Sequence, residues 1–260
     1  RNLELNYSTN GGVSLIEVID FTSTSIGSRL LKKWLNFPLK SIEKLKLRHD
    51  FVEILLDDKH LTEGLITHLK KIVDIERIAA KIATAKVNPR ELVSLKKSIS
   101  EIQKIKNIFE KNSNDLIVKT GKKLVTSKTI FSKIEKTIKE DAPVAVSKGN
   151  FIAEGFSKEL DELRGILKDG KSMLDKILKK ELLKNDIPSL KIGFNNIFGY
   201  YFEVRNTHKE KVPNEWIRKQ TLVNAERYIN EDLKNYETKI LGAEEKIQEL
   251  ELSYYSQLLN

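Results

Sequence analysis

The chain has 260 residues, with 46 Lys+Arg against 37 Asp+Glu, no Cys and a single Met. That length is enough for one large domain or two ordinary ones. A charged fraction of 32% beside 40% hydrophobic residues excludes a disordered chain. No apolar run approaches the roughly eighteen residues of a membrane span, and no charged-then-apolar leader suggests export. Lack of Cys removes disulfides, thiolate zinc sites and Cys nucleophiles together, and fits a reducing compartment, so a cytoplasmic location is expected. Five Pro and twelve Gly are few for this length and favour long helices.

In chain order, residues 1–10 alternate around Leu3 and Leu5 and predict a short strand; the absence of an initiator Met suggests a segment of something longer. From Ser14 to about Asp141 the pattern is repeatedly helical. Ser25 is placed to cap a helix through Trp34, which Pro38 stops. Ser41 caps another, with Ile42, Leu45, Val52, Leu55 and Leu56 expected on one face. Asn88-Pro89-Arg90-Glu91 combines a capping Asn, a first-turn Pro and a Glu three residues after the cap. Behind it Leu92, Leu95, Ile99, Ile102, Ile105 and Phe109 recur at helical spacing. Residues 112–128 are polar and predict a helix-to-helix turn.

After an apolar patch from Phe151 to Phe156, Ser157 can cap a helix to about residue 185. Leu160, Leu163, Leu167, Leu174 and Ile177 keep a heptad frame in which Gly170 is a weak point. A second helix from Asn230 carries Leu233, Tyr236, Ile240, Ala243, Ile247, Leu250 and Tyr254 at alternating spacings of three and four, a supercoiling seam. At 1.5 Å per residue each helix is about 40 Å long. Between them residues 186–229 change character. LKIGFNNIFGYYFEVRN alternates as a strand, turns at Asn195 and Asn196 and alternates again; Pro213 interrupts, and RKQTLVNAERYI (218–229) reads as extended. The predicted fold class is mainly α: a helical core over 1–156, two long antiparallel helices over 157–185 and 230–260, and a small β-sheet over 186–229 inserted between them, held about 40 Å from the base of the pair.

Charge points in two directions. Of the basic residues 37 are Lys and 9 are Arg, and residues 86–140 hold 14 Lys+Arg against 6 Asp+Glu. A Lys-rich helical surface is ordinarily a solvated face. Arg205, Arg218 and Arg227 instead cluster in the β segment, where a planar guanidinium suits phosphate. Catalytic parts are missing. His49, His60, His68 and His208 have no ligand spacing, and there is neither a phosphate loop nor a serine elbow. Carboxylate pairs such as Asp57–Asp58 and Glu231–Asp232 fall at helix ends, where they cap or meet the dipole. No catalytic residue, metal site or cofactor site is assigned. The β segment offers amides, hydroxyls and cations of the kind that hold a duplex backbone without reading bases: Asn195, Asn196, Arg218, Lys219, Thr221 and Asn224, with Gln220 and Arg227 as further candidates. Asn at a hairpin turn also serves simply by tolerating positive φ. Phe194, Phe198, Tyr200, Tyr201 and Phe202 are expected in the core of the sheet.

The strings GSRLLKKWLNFPL (27–39), DIER (74–77), IAEGFSKELDELR (152–164), GFNNIFGYYFEV (193–204) and QTLVNAERYI (220–229) resemble the core, lever and clamp region of the MutS family of bacterial DNA mismatch repair proteins. The resemblance implies a helical core, two lever helices and a β clamp that grips double-stranded DNA non-specifically. It carries the DNA contacts onto Asn195, Arg218, Lys219, Thr221 and Asn224. Val223 stands where the family usually has Lys, and Lys81 where it usually has Arg. In such a parent the mismatch-reading, connector and ATPase domains would lie outside these residues, with ATP and Mg as cofactors of the ATPase, a homodimer as the assembly, and no membrane partner. This segment is then not an enzyme, and is nucleoid-associated when on DNA. The alternative reading is a helical scaffold for protein–protein interaction that binds no DNA itself.

Overall fold

The computed structural model describes residues 5–7 and 11–260, and the chain divides into two compact units, 1–153 with 255–260, and 154–254. The first unit is helical: α1 (Leu15–Ile19), α2 (Ser25–Asn36), α3 (Ile42–Asp57), α4 (Lys59–Leu69), α5 (Ile75–Ala83), α6 (Pro89–Glu110), α7 (Asp115–Lys123) and α8 (Lys128–Thr137). The second holds α9 (Lys158–Asn185), β1 (Lys191–Asn195), β2 (Gly199–Arg205), β3 (Ile217–Thr221), β4 (Ala225–Ile229) and most of α10 (Glu231–Leu259).

Most helix starts are set by local side chains. The Asn88 amide oxygen accepts from the Glu91 N–H at 2.9 Å, and the Glu91 carboxylate accepts from the Asn88 N–H at 3.0 Å, closing the reciprocal cap of α6. Thr24, one residue before the expected Ser25, caps α2 by accepting from the Gly27 N–H. The strand expected over residues 1–10 lies mostly outside the described residues; within it, the Leu5 carbonyl accepts from the Ile16 N–H and residues 5–7 form no strand. The apolar face expected for α3 is only partly the buried one, holding for Leu45 and Leu55. Phe51, Ile54 and Leu55 pack against Leu61, Leu65, Ile105, Phe109 and Ile117, whereas Ile42, Val52 and Leu56 are exposed. The polar stretch 112–128 holds α7 as well as its turns: Asn114 caps it, Ile117 is fully buried, and Gly121 lets its backbone approach the Phe109 side chain.

Distant segments close this unit. Arg29 forks onto Asp74 at 2.7 and 2.8 Å and reaches Glu76 at 2.6 Å. Asp74 also caps α5 through the Arg77 N–H, and these bonds, Arg29 first, hold its carboxyl down at about 2. Ile138 pairs with Ile152 in an antiparallel bridge, and both are buried. From the last turn of α10 the Tyr255 hydroxyl donates to the Val87 carbonyl at 2.7 Å while its ring meets Phe151 edge-on, and burial pushes its pKa up.

In the second unit α9 and α10 run antiparallel, because partners that climb one helix descend the other. Ser157 meets Tyr254, Arg164 meets Glu251, and Lys180 meets Asp232. Each helix is 28 or 29 residues long, about 42 Å at the α-helical rise. Leu160 and Ile177 on α9 and Leu233, Tyr236, Ile240 and Ala243 on α10 are buried along the seam, whereas Ile247, Leu250 and Tyr254 are only half-buried. Gly170 sits inside that seam: a Cβ there would stand 2.8 Å from the Tyr236 hydroxyl and 3.2 Å from Ile240 Cδ1.

The four strands form one antiparallel sheet in the order β1-β2-β4-β3. One face, carrying Phe202, Val204 and Tyr228, packs with Trp216, Ile187 and Leu190 onto Ile177, Leu233, Tyr236 and Ile240 of the two helices. Phe202 and Trp216 stack with centroids 4.5 Å apart. Of the five aromatics expected in the sheet core, Tyr201 and Phe202 are buried, Tyr200 and Phe198 are half-buried, and Phe194 is exposed. The sheet therefore rests on the end of the helical pair opposite the Ser157–Tyr254 contact. The stretch 218–229, extended in the sequence reading, is in fact a second hairpin, β3 and β4.

Candidate nucleic-acid interface

Strand order fixes where each candidate residue stands. The β1–β2 turn lies at the Gly199 end of β2, and the β3–β4 turn lies beside Arg205 at its other end. At about 3.3 Å per residue, the seven residues of β2 separate the two turns by about 20 Å. Asn195 and Asn196 are thus not brought together with Thr221 and Asn224. The first turn lies against the helices: Gly199 has φ +76°, and the Glu237 carboxylate of α10 occupies the space a Cβ would need. Asn195 Oδ1 accepts from the Ile197 N–H at 2.8 Å, so part of its side chain holds the turn. Asn196 is exposed.

The second turn is the free end of the sheet. Leu222 N–H donates to the Ala225 carbonyl at 2.8 Å, and Val223 between them is 91% exposed. Asn206, just after β2, clasps this turn twice: its N–H donates to the Asn224 carbonyl at 3.2 Å and its amide Nδ2 to the Val223 carbonyl at 3.0 Å. Thr221, Asn224 and the whole of β3 are exposed. The β3–β4 register slips between Arg218 and Gln220, which makes Lys219 the bulged residue on an edge strand. A bulge twists an edge strand and re-aims a side chain.

The cations around this end differ in how far they are already neutralised. Glu226, with 3% of its side chain exposed, accepts from Lys209 at 2.7 Å, from Arg218 at 3.3 Å and from the Tyr228 hydroxyl. Lys209 first, then Tyr228, hold its carboxyl below the usual range against the opposing effect of burial. Burial and then Glu226 push the Tyr228 phenol up to about 12. Arg227 is similarly engaged: it bonds Gln220 at 2.8 Å and Glu203 at 3.3 Å and lies over the Tyr201 ring at 4.4 Å. Gln220 and Arg227 therefore face each other and tie β3 to β4. Lys219 has no ion pair among the described residues. The buried Glu226, which organises two of the cations, was missed in the sequence; the NAERY string carried it, but nothing local marks a carboxylate at the end of a strand as buried.

Elsewhere among the described residues no group of His, Asp and Glu could hold a metal, and no helix is long and apolar enough to cross a membrane. His68 pairs with Glu101 at 2.7 Å. A groove of about 430 Å³, mainly apolar, lies between α6 and α8 beside Ile99, Gln103 and Phe131.

The sequence model of the family described as MutS domain III matches residues 1–260. The protein named DNA mismatch repair protein MutS from Flavobacterium johnsoniae is 51% identical over 261 residues, covering 100% of this chain and 30% of the relative. Proteins of the same name from Parabacteroides distasonis and Bacteroides fragilis are each 48% identical over 260 residues, again over the whole of this chain. The chain spans about 30% of the length of these curated relatives. Matched along its whole length by the family model, and nearly half identical or better to these relatives, the chain belongs to the MutS domain III family.

Proposed function

We propose that this chain is the core, lever and clamp portion of a mismatch repair protein, and that it grips double-stranded DNA by its backbone without reading sequence. Residues 1–156 are the core, α9 and α10 the levers and 186–229 the clamp. The observation that carries the reading is the free end of the sheet, where a clasped turn presents Thr221 and Asn224 next to the bulged, unpaired Lys219 on β3. Hydroxyl, amide and ammonium donors on an exposed edge suit phosphate oxygens, and contacts of that kind position a protein on a duplex without specifying bases. Arg218 joins them from a position steadied by Glu226. Asn195 and Asn196 serve chiefly to build the lever-side turn, and Gln220 and Arg227 to brace the sheet.

The levers supply the coupling. Two packed helices about 40 Å long turn a small rotation at one end into a large displacement at the other, a rigid-body form of switching. In the parent protein that displacement would link duplex binding to an ATPase domain using ATP and Mg, within a homodimer, while a separate domain reads the mismatch. This portion has no catalytic role of its own and works in the cytoplasm on the chromosome.

The test is a titration of the chain against a short fluorescein-labelled duplex at several salt concentrations. Affinity falls steeply as salt rises, because each phosphate contact releases counterions. Replacing Arg218 and Lys219 together by Ala lowers the slope of log affinity against log salt by between about one and two, the larger share from Lys219, because Arg218 is already paired with Glu226. A slope that stays unchanged moves the contact surface elsewhere. Equal binding by wild type and a Lys219→Ala, Asn224→Ala variant favours the protein-scaffold reading instead.

A further inference from the structure

We infer that Arg205 is a backbone-phosphate contact of the clamp, serving from the neighbouring strand the turn whose own apex carries no charge. The inference rests on the DNA-binding reading above and adds a residue to it. Register is the first ground. Arg205 is the last residue of β2 and pairs directly with Ala225, the first residue of β4 after the exposed turn. The next residue, Asn206, is bonded to both turn carbonyls, so the backbone of Arg205 is fixed beside the turn with no loop between.

Charge is the second ground. Among the described residues, Lys209 and Arg218 share Glu226, Lys211 pairs with Asp186, and Arg227 pairs with Glu203. Of the cations carried by β2, β3, β4 and the turn Asn206–Lys211, that leaves Arg205 and Lys219 with no ion pair, and both are exposed. A cation already matched by a carboxylate gains less from a phosphate than one that is unmatched. Chemistry at the apex is the third ground. Val223, exposed at the turn, has no donor beyond its backbone, while the guanidinium alongside has five, in a fork that fits phosphate oxygens. Arg205 and Lys219 thus stand on β2 and β3, on either side of β4, with the turn at the end of the sheet between them.

The experiment uses the 260-residue chain and the same labelled duplex, with Arg205→Ala, Arg205→Lys, Val223→Lys and Lys219→Ala variants. Arg205→Ala lowers the salt slope by about one, so a fourfold rise in salt costs it about fourfold less affinity than it costs wild type. Arg205→Lys keeps the slope, and Val223→Lys added to Arg205→Ala restores it, while thermal midpoints stay near wild type because the side chain is exposed. A purely structural role would move the midpoint and leave the slope alone. If Lys219→Ala lowers the slope and Arg205→Ala does not, the role of Arg205 is overturned and DNA binding by the clamp stands. If the slope lost in Arg205→Ala is not regained in Arg205→Lys, the inference also fails. If wild type itself shows no salt-dependent binding, both readings fall.

Discussion

Two glycines in the long helices make opposite predictions from the same substitution. Gly costs a helix interior about 1 kcal/mol relative to Ala, through backbone entropy, so on propensity alone Gly170→Ala and Gly242→Ala stabilise equally. Their surroundings differ. At Gly242 a Cβ meets nothing within 4 Å, so the full gain is expected. At Gly170 it meets the Tyr236 hydroxyl at 2.8 Å and Ile240 Cδ1 at 3.2 Å. Ile240 can yield by a change of rotamer. Tyr236 cannot easily: it is buried, and its ring stands edge-on to Tyr200 at 5.2 Å. Overpacking a close-fitted core costs roughly 1–3 kcal/mol, which exceeds the propensity gain. Gly170→Ala is therefore expected to be net destabilising by about 1 kcal/mol, and Gly242→Ala stabilising by up to about 1 kcal/mol. Urea unfolding followed by circular dichroism reads both, and thermal midpoints should part in opposite directions by about 2–4 °C each. Midpoints that both rise would show that the helices do not meet at Gly170, and the reasoning about the seam would be wrong.

Other expectations follow from charges and caps. Glu251 is almost fully buried on α10 and bonded to Arg164 at 2.7 Å, so Arg164→Met, which removes the cation from a buried ion pair, should cost about 3–5 kcal/mol in urea unfolding; a loss under about 1 kcal/mol would argue against that pair. Asn88→Ala removes one half of the α6 cap and should cost about 1 kcal/mol, with Asn88→Asp near neutral, by the same assay. Asp74 and Glu226 have folded pKa values held below their ordinary 3.8 and 4.5, so each contributes stability above those values that is lost as pH falls through the lowered one. Thermal midpoints followed from neutral pH downward should fall less steeply for Glu226→Gln than for wild type below the ordinary Glu range, and for Asp74→Asn in the range from 3.8 down to about 2; acid limbs parallel to wild type would show that the carboxylates are not the ionised partners.

Much of the fold can be read along the chain because its causes are local. The caps at Ser41, Asn88, Ser157 and Asn230 each act within three residues, so a short window of sequence contains the whole interaction. The heptad seam of α10 is equally visible, since the spacing of apolar residues on a helix fixes the stripe that must be covered. What the window could not hold was decided by partners far away. The turn at 222–225 has no Gly to announce it, because Asn206, 17 residues from Val223, supplies its clasp. The free end of the sheet could be identified only once strand order had put Asn195 and Thr221 at opposite ends, which separated residues that the sequence had grouped as one surface. Which cations stay available was likewise a tertiary matter. Composition counts Arg205, Arg218 and Arg227 as equals, and only the placement of Glu226 and Glu203 neutralises two of them and leaves the first without an ion pair among the described residues. Backbone preference and periodicity act over a few residues, whereas pairing and desolvation depend on whatever the folded chain brings alongside.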